Sequence, residues 1–225
     1  MRGHARKAPF PRTVVATFCV FMPQPLKRLL YRRLFGWHIN PGSYIGFSYI
    51  LVDKLVVEEN VRILHGNVIK GCEYVHLHAY SRIGGFNWIT APPWGWATVN
   101  TRLSPDRKTH LIMGRNASIL HRHFIDCSDS VTLGNGAVLA GYRSMIVTHS
   151  LDIETGRART APVMVGENSL VFAASVLVAG AVVPNRCVVA AGGVVTGQLP
   201  DELSLYGGVP ARKIKKLSAD SAFFH

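Results

Sequence analysis

His149 ends an aliphatic stretch in "MIVTHSLD", residues 145–152, and is a candidate for acid–base chemistry. A histidine can act as a general base when a carboxylate holds one ring nitrogen and the other is left free. Asp152 follows closely, and Asp126 and Asp129 occur in the earlier segment "FIDCSDS". By residue type alone, His149 is a catalytic base, a metal ligand or a surface residue, and the choice depends on how the chain folds.

Five further residues have side chains suited to binding a polar acceptor molecule. His121 and His123 in "LHRHFID" are separated by one residue, so they share a face if this segment is a strand. Arg143 in "GYRS" is suited to a carboxylate or a phosphate. Asn87 and Trp88 in "FNWIT" offer a hydrogen bond and a stacking surface for a sugar.

The composition indicates a folded chain with an anionic partner. Charged residues make up 17% of the 225 residues and hydrophobic residues 48%, which favours a globular protein over a disordered one. The formal net charge is +12, and much of it lies near the two ends, in "MRGHARK", "LKRLLYRR" and "ARKIKK". Such a surplus favours a phosphorylated cofactor, an anionic membrane surface or nucleic acid as the partner.

The cysteines and the apolar runs bear on the compartment. The longest apolar run, residues 170–184, has 15 residues, fewer than the roughly 18 needed to cross a bilayer. The run "TVVATFCVFM" is short and lacks an obvious signal-peptide cleavage site. No C-x-x-C pair occurs, so the cysteines predict neither a zinc cluster nor a disulfide framework and are typical of a reducing cytoplasm: Cys19, Cys72, Cys127 and Cys187.

A period of six residues runs through most of the chain. From Val165 the sequence divides into VGENSL, VFAASV, LVAGAV, VPNRCV, VAAGGV and VTGQLP. Every first position is Val or Leu, and the fifth position is small in all but the last unit. The same period starts at Ile45 and, with slips of two residues near 75–77 and 131–133, continues through Met145 and Leu151. This is neither the 3.6-residue period of a helix nor the alternation of one long strand.

Six-residue units of this kind are typical of a short strand followed by a tight corner, with three such faces closing one coil. Stacked coils pair as parallel strands about 4.8 Å apart, so the repeat predicts a parallel β-helix. The unit of His149 comes three faces after the unit of Ile125. This stacking brings Asp126 or Asp129 near the imidazole, and Asp152 is a third candidate.

The segments outside the repeat divide the chain into three parts. Residues 1–40 include "QPLKRLLYRRLFGW", which predicts a short basic amphipathic helix that caps the coil or contacts an anionic membrane. Residues 41–217 form the predicted β-helix with loop excursions at 91–110 and 152–162, and residues 218–225 form a tail. His76 and His78 are expected on an exposed face of the coil.

The six-residue units, together with "THSLD" and the closing "GGVPARKIKK", resemble the left-handed β-helix (hexapeptide-repeat) acyltransferases. The order of "GNVIKG", "NWIT", "RHFIDC", "GYRS" and "GVPAR" is most similar to the acetyltransferases of polysaccharide and capsule biosynthesis. The resemblance covers about residues 25–217. It implies left-handed coiling, acetyl-CoA as the donor, His149 as the general base, and a homotrimer with active sites between subunits.

The resemblance also implies where acetyl-CoA binds. Its pantetheine arm is expected to pass Ala173 and Ala191. Its nucleotide end is expected near Thr196, Arg212 and Lys215. The chain departs from the family pattern directly after Thr196, where a glycine stands in place of a frequent lysine.

The sequence thus predicts an acetyl-CoA-dependent O-acetyltransferase that acts on a saccharide or glycan precursor without a metal, in the cytoplasm or at the inner face of the membrane. An N-acetyltransferase for an amino sugar would have nearly the same features. A second alternative is a metal-dependent lyase like the gamma-class carbonic anhydrases, with His121, His123 and His149 as ligands, although the H-x-x-x-x-H pair of that family is absent. A third is a noncatalytic solenoid that binds nucleic acid or membrane, but no nucleic-acid-binding motif supports it.

Overall fold

The computed structural model of the chain describes residues 10–92 and 107–224. The helices in these ranges are α1 (Phe10–Cys19), α2 (Gln24–Phe35) and a short 3-10 helix (Ala222–Phe224). The strands are β1 (His38–Ile39), β2 (Tyr44–Ile45), β3 (Tyr49–Leu51), β4 (Lys54–Val57), β5 (Arg62–Ile63), β6 (Val68–Lys70), β7 (Tyr74–Leu77), β8 (Arg82–Ile83), β9 (Trp88–Thr90), β10 (His110–Met113), β11 (Ser118–His121), β12 (Phe124–Asp126), β13 (Val131–Leu133), β14 (Val138–Tyr142), β15 (Met145–Val147), β16 (His149–Asp152), β17 (Arg157–Thr160), β18 (Val163–Val165), β19 (Leu170–Val171), β20 (Val176–Leu177), β21 (Val182–Val183), β22 (Val188–Val189), β23 (Val194–Val195), β24 (Ser204–Gly207) and β25 (Arg212–Lys216).

Most of these strands wind into a left-handed parallel β-helix with three flat faces, which confirms the predicted fold class. Face A contains β1, β4, β7, β10, β13, β18 and β21. Face B contains β2, β5, β8, β11, β14, β19, β22 and β24, and ends with the antiparallel strand β25. Face C contains β3, β6, β9, β12, β15, β20 and β23.

Each face places one ladder of aliphatic side chains in the interior of the coil. Burial of one such side chain contributes about 1.5–3 kcal/mol, so the ladders are the main source of stability. Met145 and Leu151, which the period places inside, are exposed, and Ile146 is inside instead. A bulge between β11 and β14 inserts one residue there and shifts the period by one. The face C ladder is Ile50, Ile69, Ile89, Ile125, Ile146, Leu177 and Val195.

The length of one coil changes along the chain. Ile63 pairs with Ile83, so this coil has 20 residues, whereas Val171 pairs with Val189 and that coil has 18. In the longer coils the face A strands have three or four residues, and β7 buries two side chains instead of one. The two-residue slips in the sequence period therefore occur where a face A strand is longer.

Polar side chains form an internal ladder at the corner that precedes face C. Nδ2 of Asn87 donates to Oδ1 of Asn67 at 3.0 Å, and Oδ1 of Asn87 accepts from the backbone N–H of His123 at 2.9 Å. These bonds satisfy backbone groups that cannot pair within a strand at the corner. The buried members of this ladder are Ser48, Asn67, Asn87, His123, Ser144 and Ser175.

Two helices, rather than the one predicted, lie at the N-terminal end. Helix α1 contacts β3 and buries Ala16 and Cys19. Lys27 of α2, assigned by its helical position to the charged surface, is buried, and its Nζ donates to the carbonyls of Val20, Ile45 and Gly46 at 2.8–3.2 Å. Burial lowers the pKa of Lys27. This ammonium group joins the helices to the first coil.

The interruptions of the coil differ from the prediction in their bounds. The coil starts with β1 at His38, before the predicted boundary, because β1 pairs with β4. Of the excursion at 91–110, residues 93–106 lie outside the described residues. The excursion predicted at 152–162 is an antiparallel hairpin of β16 and β17 that already starts at His149. Among the described helices, none has the length and apolarity required to span a membrane.

Candidate active site

His149 lies at the edge where the chain leaves face C. Its side chain is 54% exposed, and its Nδ1 atom lies 2.9 Å from Oδ2 of Asp126, whose side chain is only 10% exposed. Because a carboxylate accepts hydrogen bonds and does not donate them, Nδ1 carries the proton of this bond. Among the described residues, the Nε2 lone pair has no hydrogen-bond partner and lies on an exposed ring, which is the arrangement of a general base.

The carboxylate of Asp126 is fixed by its neighbours. Its Oδ2 accepts from the backbone N–H and the hydroxyl of Thr148 at 3.0 and 2.9 Å. Its Oδ1 accepts from the backbone N–H and the hydroxyl of Ser128 at 3.2 and 2.7 Å. Thr148 and Ser128 do not stand out in the six-residue repeat, although Ser or Thr beside Asp commonly forms such local bonds. Together they hold the carboxylate, and through it the ring of His149, in one orientation.

The other two candidate aspartates bond elsewhere. Oδ1 of Asp129 accepts from the backbone N–H of the next residue at 2.7 Å. Asp152 forms an ion pair with Arg159 and accepts from the backbone N–H of Thr155 at 3.0 Å. The Thr155 hydrogen bonds hold the pKa of Asp152 below its usual value. The structure therefore brings Asp126 to His149, and the catalytic role predicted for Asp152 has no contact to support it.

Asn87 and His123 do not face an acceptor. Both are 1% exposed and belong to the corner ladder. Nδ1 of His123 accepts from the backbone N–H of Ser144 at 3.1 Å. Burial, and then the nearby His121, lower the pKa of His123 to about 4, so its ring is neutral at pH 7. The prediction that these two side chains bind substrate does not hold, because this place in the six-residue unit points inward.

His121, Arg143 and Trp88 are exposed, but they lie away from His149. His121 and Arg143 stand at the corner where the chain enters face C, whereas His149 stands where it leaves. Trp88 is the first residue of β9 and is 47% exposed, with Nζ of Lys70 5.7 Å from the ring centre. Nδ1 of His121 accepts from the backbone N–H of Gly85 at 2.8 Å, so only its Nε2 atom is open to a ligand among the described residues. All three side chains lie at the opposite edge of face C from His149.

The residues predicted to bind acetyl-CoA divide between the two edges of face C. Ala173 and Ala191 stack at the edge where the chain enters, and Arg212 lies beside it through its pairing with the end of β24. Lys215 lies further along β25. Thr196 directly follows β23, at the edge where His149 lies.

One strand of face C separates the two edges within a coil. Ala173 precedes β20, and Ala179 follows it in the coil that stacks next to Thr148. Six residues of extended chain span at most about 20 Å. In a single chain, His149 and most of the predicted donor-binding residues are therefore one face apart.

The three histidines of the metal-lyase alternative do not converge in this chain. His123 is buried at the entering edge and its Nδ1 is occupied, while His149 lies at the other edge. Within residues 10–92 and 107–224, the only group of three potential metal ligands is Glu58, His76 and His78. Because His123 is buried, it cannot bind a metal at the surface, and the alternative loses one of its three predicted ligands.

No family model and no curated protein matches the chain. Among solved structures, the chain is similar to a hexapeptide-repeat-containing acetyltransferase from Vibrio cholerae, with 18% identity, a TM-score of 0.52 and 96% of each chain covered. It is also similar to a galactoside acetyltransferase in complex with coenzyme A, with 15% identity, a TM-score of 0.47, and 96% of this chain and 86% of the other covered. The first likeness shows that the chain has the fold of a hexapeptide-repeat acetyltransferase.

Proposed function

We propose that this chain transfers an acetyl group from acetyl-CoA to a hydroxyl group of a saccharide or glycan precursor, with His149 as the general base. The observation that carries the proposal is the exposed imidazole held by a buried carboxylate, His149 on Asp126. The proposal agrees with the fold, because the solved structure that shares this fold is named an acetyltransferase. The sequence motif "THSLD" supports the same assignment.

The pair supports direct transfer without a covalent enzyme intermediate. Nε2 of His149 takes the proton of the acceptor hydroxyl while the hydroxyl oxygen forms a bond to the thioester carbonyl carbon. Asp126 keeps the Nδ1 proton in place and stabilises the imidazolium that forms. When the carbon–sulfur bond breaks, the proton on Nε2 passes to the leaving CoA thiolate, so the histidine returns to its neutral form.

The donor site is proposed along the edge with Ala173 and Ala191. Small side chains leave a shallow path for a pantetheine arm, and Arg212 and Lys215 place positive charge at its end, where CoA phosphates are favoured. Thr196 lies at the edge of His149 and is proposed to contact the donor that is bound along the Ala173 edge of the neighbouring copy. Because base and donor path lie on opposite edges of face C, we propose a homotrimer in which each site combines the His149 edge of one copy with the Ala173 edge of the next.

The acceptor is proposed to bind near His149 and to use exposed side chains of the neighbouring copy's edge, among them Trp88, Arg143 and His121. An indole offers a stacking surface for a sugar ring, and a guanidinium group binds a carboxylate or phosphate. An amino sugar would be acetylated through the same base, so N-acetylation is the second candidate.

The N-terminal segment is proposed to bring the enzyme to an anionic membrane, where a lipid-linked glycan is found. Residues 1–52 contain eight lysine and arginine residues and no aspartate or glutamate. Helices α1 and α2 and their linker expose apolar side chains beside these charges: Phe18, Phe21, Leu26, Leu29 and Leu34. Basic charge with exposed apolar groups is the combination that binds membrane interfaces.

The first test is calorimetric titration of the chain and of His149→Ala with acetyl-CoA, followed by turnover measured as release of the CoA thiol. The acceptors are matched glycans with and without a free amine, which separates O- from N-acetylation. We expect both proteins to bind acetyl-CoA and His149→Ala to lose about 10²- to 10⁴-fold in kcat. His38→Ala, another exposed histidine, is the control and should keep full activity. Absence of acetyl-CoA binding by both proteins would overturn the proposal.

A further inference from the structure

A second cluster of ligand-type side chains lies on face A, far from the His149 pair in the stack of coils. Glu58 directly follows β4, His76 is in β7, and His78 directly follows β7. β4 and β7 are parallel neighbours with Val57 opposite Leu77, so Glu58 stands beside His78. His76 and His78 alternate with the buried Leu77 and therefore share the outer face. Strand β10 separates β7 from β13, the face A strand that follows Asp126.

The three side chains meet at one oxygen atom. Oε1 of Glu58 lies 2.9 Å from Nε2 of His76 and 3.0 Å from Nδ1 of His78. The three ligand atoms all lie within 4.8 Å of one another. Metal–ligand bonds of about 2.0–2.2 Å put neighbouring ligand atoms about 2.9 Å apart in octahedral and about 3.4 Å apart in tetrahedral geometry. The separations between the carboxylate and the two imidazoles therefore suit a shared ion.

Neighbouring groups already orient two of these ligands. Oε2 of Glu58 accepts from the backbone N–H of Ala79 at 3.0 Å, which turns Oε1 toward the histidines. Nδ1 of His76 lies 3.1 Å from the hydroxyl of Tyr74. With a metal on Nε2, Nδ1 carries the proton and its N–H donates a hydrogen bond to that hydroxyl oxygen. Histidines that bind a metal usually make such a bond with their second ring nitrogen.

The chemistry of the three ligands indicates which ion they suit. Two imidazoles and one carboxylate form a ligand set that suits zinc, and the outward orientation leaves a position for water.

We propose that Glu58, His76 and His78 bind one zinc ion per chain on the outside of face A, at a site separate from acyl transfer. The ion would link β4 to β7 and so join two successive coils. It takes no part in the chemistry at His149, and its presence does not depend on the proposed function.

The test uses full-length protein without a histidine tag, freed of metal with a chelator and then titrated with zinc chloride. We expect one equivalent of zinc bound per chain, with an unfolding temperature that rises as zinc is added. Cobalt(II) in place of zinc should give visible absorption bands of a protein-bound ion with nitrogen ligands.

Three variants locate the site. Glu58→Gln, His76→Gln and His78→Gln should each weaken zinc binding at least tenfold while circular dichroism shows an unchanged fold. His65→Gln, an exposed histidine on another part of the coil, should bind as the parent does. Equal zinc affinity in the His76→Gln/His78→Gln double variant, or no binding by the parent protein at 100-fold excess of zinc, would overturn the proposal.

Discussion

At the scale of single residues, the carboxylate of Asp126 decides which nitrogen of His149 is basic. In Asp126→Asn an amide N–H can face Nδ1, which would then lose its proton and leave the proton on Nε2, where the base is needed. We expect kcat to fall about 10²- to 10⁴-fold with little change in the KM for acetyl-CoA. The unfolding temperature should fall modestly, because the amide nitrogen cannot accept the hydrogen bonds that the carboxylate accepts from Thr148 and Ser128. Asp129→Asn is the matched control, because among the described residues its carboxylate accepts a hydrogen bond only from the backbone N–H of the next residue. Steady-state kinetics of both variants measures the difference, and equal losses would contradict a specific role for Asp126.

His123 makes the stability of the coil depend on pH. Its pKa is about 4 in the folded chain because it is buried, against about 6.5 in the unfolded chain. The unfolded state therefore binds the proton first, so this contribution is complete above pH 6.5 and is lost as the pH falls toward 4. The difference corresponds to a loss on the order of 3 kcal/mol.

His123→Asn should remove that loss, since it extends the ladder of Asn67 and Asn87 with a side chain that does not titrate. Urea unfolding at pH 7 and pH 4 measures how much the free energy of unfolding decreases between the two pH values. This decrease should be smaller in the variant than in the parent, by up to about 3 kcal/mol. An identical fall in both proteins would show that His123 is not the titrating group.

The sequence predicted His149 and left its partner open for a specific physical reason. Asp126 and Asp129 are three residues apart, and a slip of two residues in the period separates them from the unit of His149, so counting along the chain could not rank them. For Asn87 and His123, the repeat indicated the corner but not whether the side chain points in or out. That depends on backbone groups at the corner needing partners, which only the three-dimensional ladder reveals.

At the scale of secondary-structure elements, the sequence pattern did not predict two elements that tertiary contacts stabilise. The segment of helix α1 was predicted only as an apolar run, but it forms a helix that packs against β3. The hairpin of β16 and β17 was read as a polar loop, since its residues lack a clear apolar alternation. His149 is the first residue of β16 and pairs with Thr160 in the antiparallel hairpin, which limits the movement of its backbone.

The two helices should bind anionic vesicles. We expect the chain to cosediment with vesicles that contain 30% phosphatidylglycerol, and not with pure phosphatidylcholine vesicles, with binding that weakens as salt is added. Arg32→Glu/Arg33→Glu on α2 should weaken binding about 10- to 100-fold, because each basic residue near the surface contributes about 1 kcal/mol. Arg62→Glu/Arg82→Glu, exposed on face B, is the charge-matched control. Equal weakening by both pairs would indicate a general effect of net charge and contradict a membrane surface on the helices.

At the scale of the whole molecule, the fold was predictable because one local rule is repeated. Each six-residue unit contributes an inward aliphatic side chain, and errors such as Met145 remain local since the next coil restores the register. The repeat could not predict whether the two edges of face C form a site within one copy or between two copies, because a sequence period describes one chain and not its neighbours.

Two inactive variants can test whether the sites are shared between copies. His149→Ala lacks the base, and Ala191→Trp fills the proposed donor path at the other edge of face C, so each variant alone should be inactive.

If each site takes one edge from each of two copies, random co-assembly restores both intact edges in about a quarter of the sites. Purification through two different tags removes the two homotrimers, and each mixed trimer then keeps one intact site out of three. The coexpressed and purified protein should therefore have about a third of the parent activity, measured as thiol release. The same variants folded separately and then mixed should stay inactive, because assembled copies do not exchange. Inactivity of the coexpressed protein, with both chains present in one assembly, would place base and donor on the same copy and require acetyl-CoA to cross face C to reach His149.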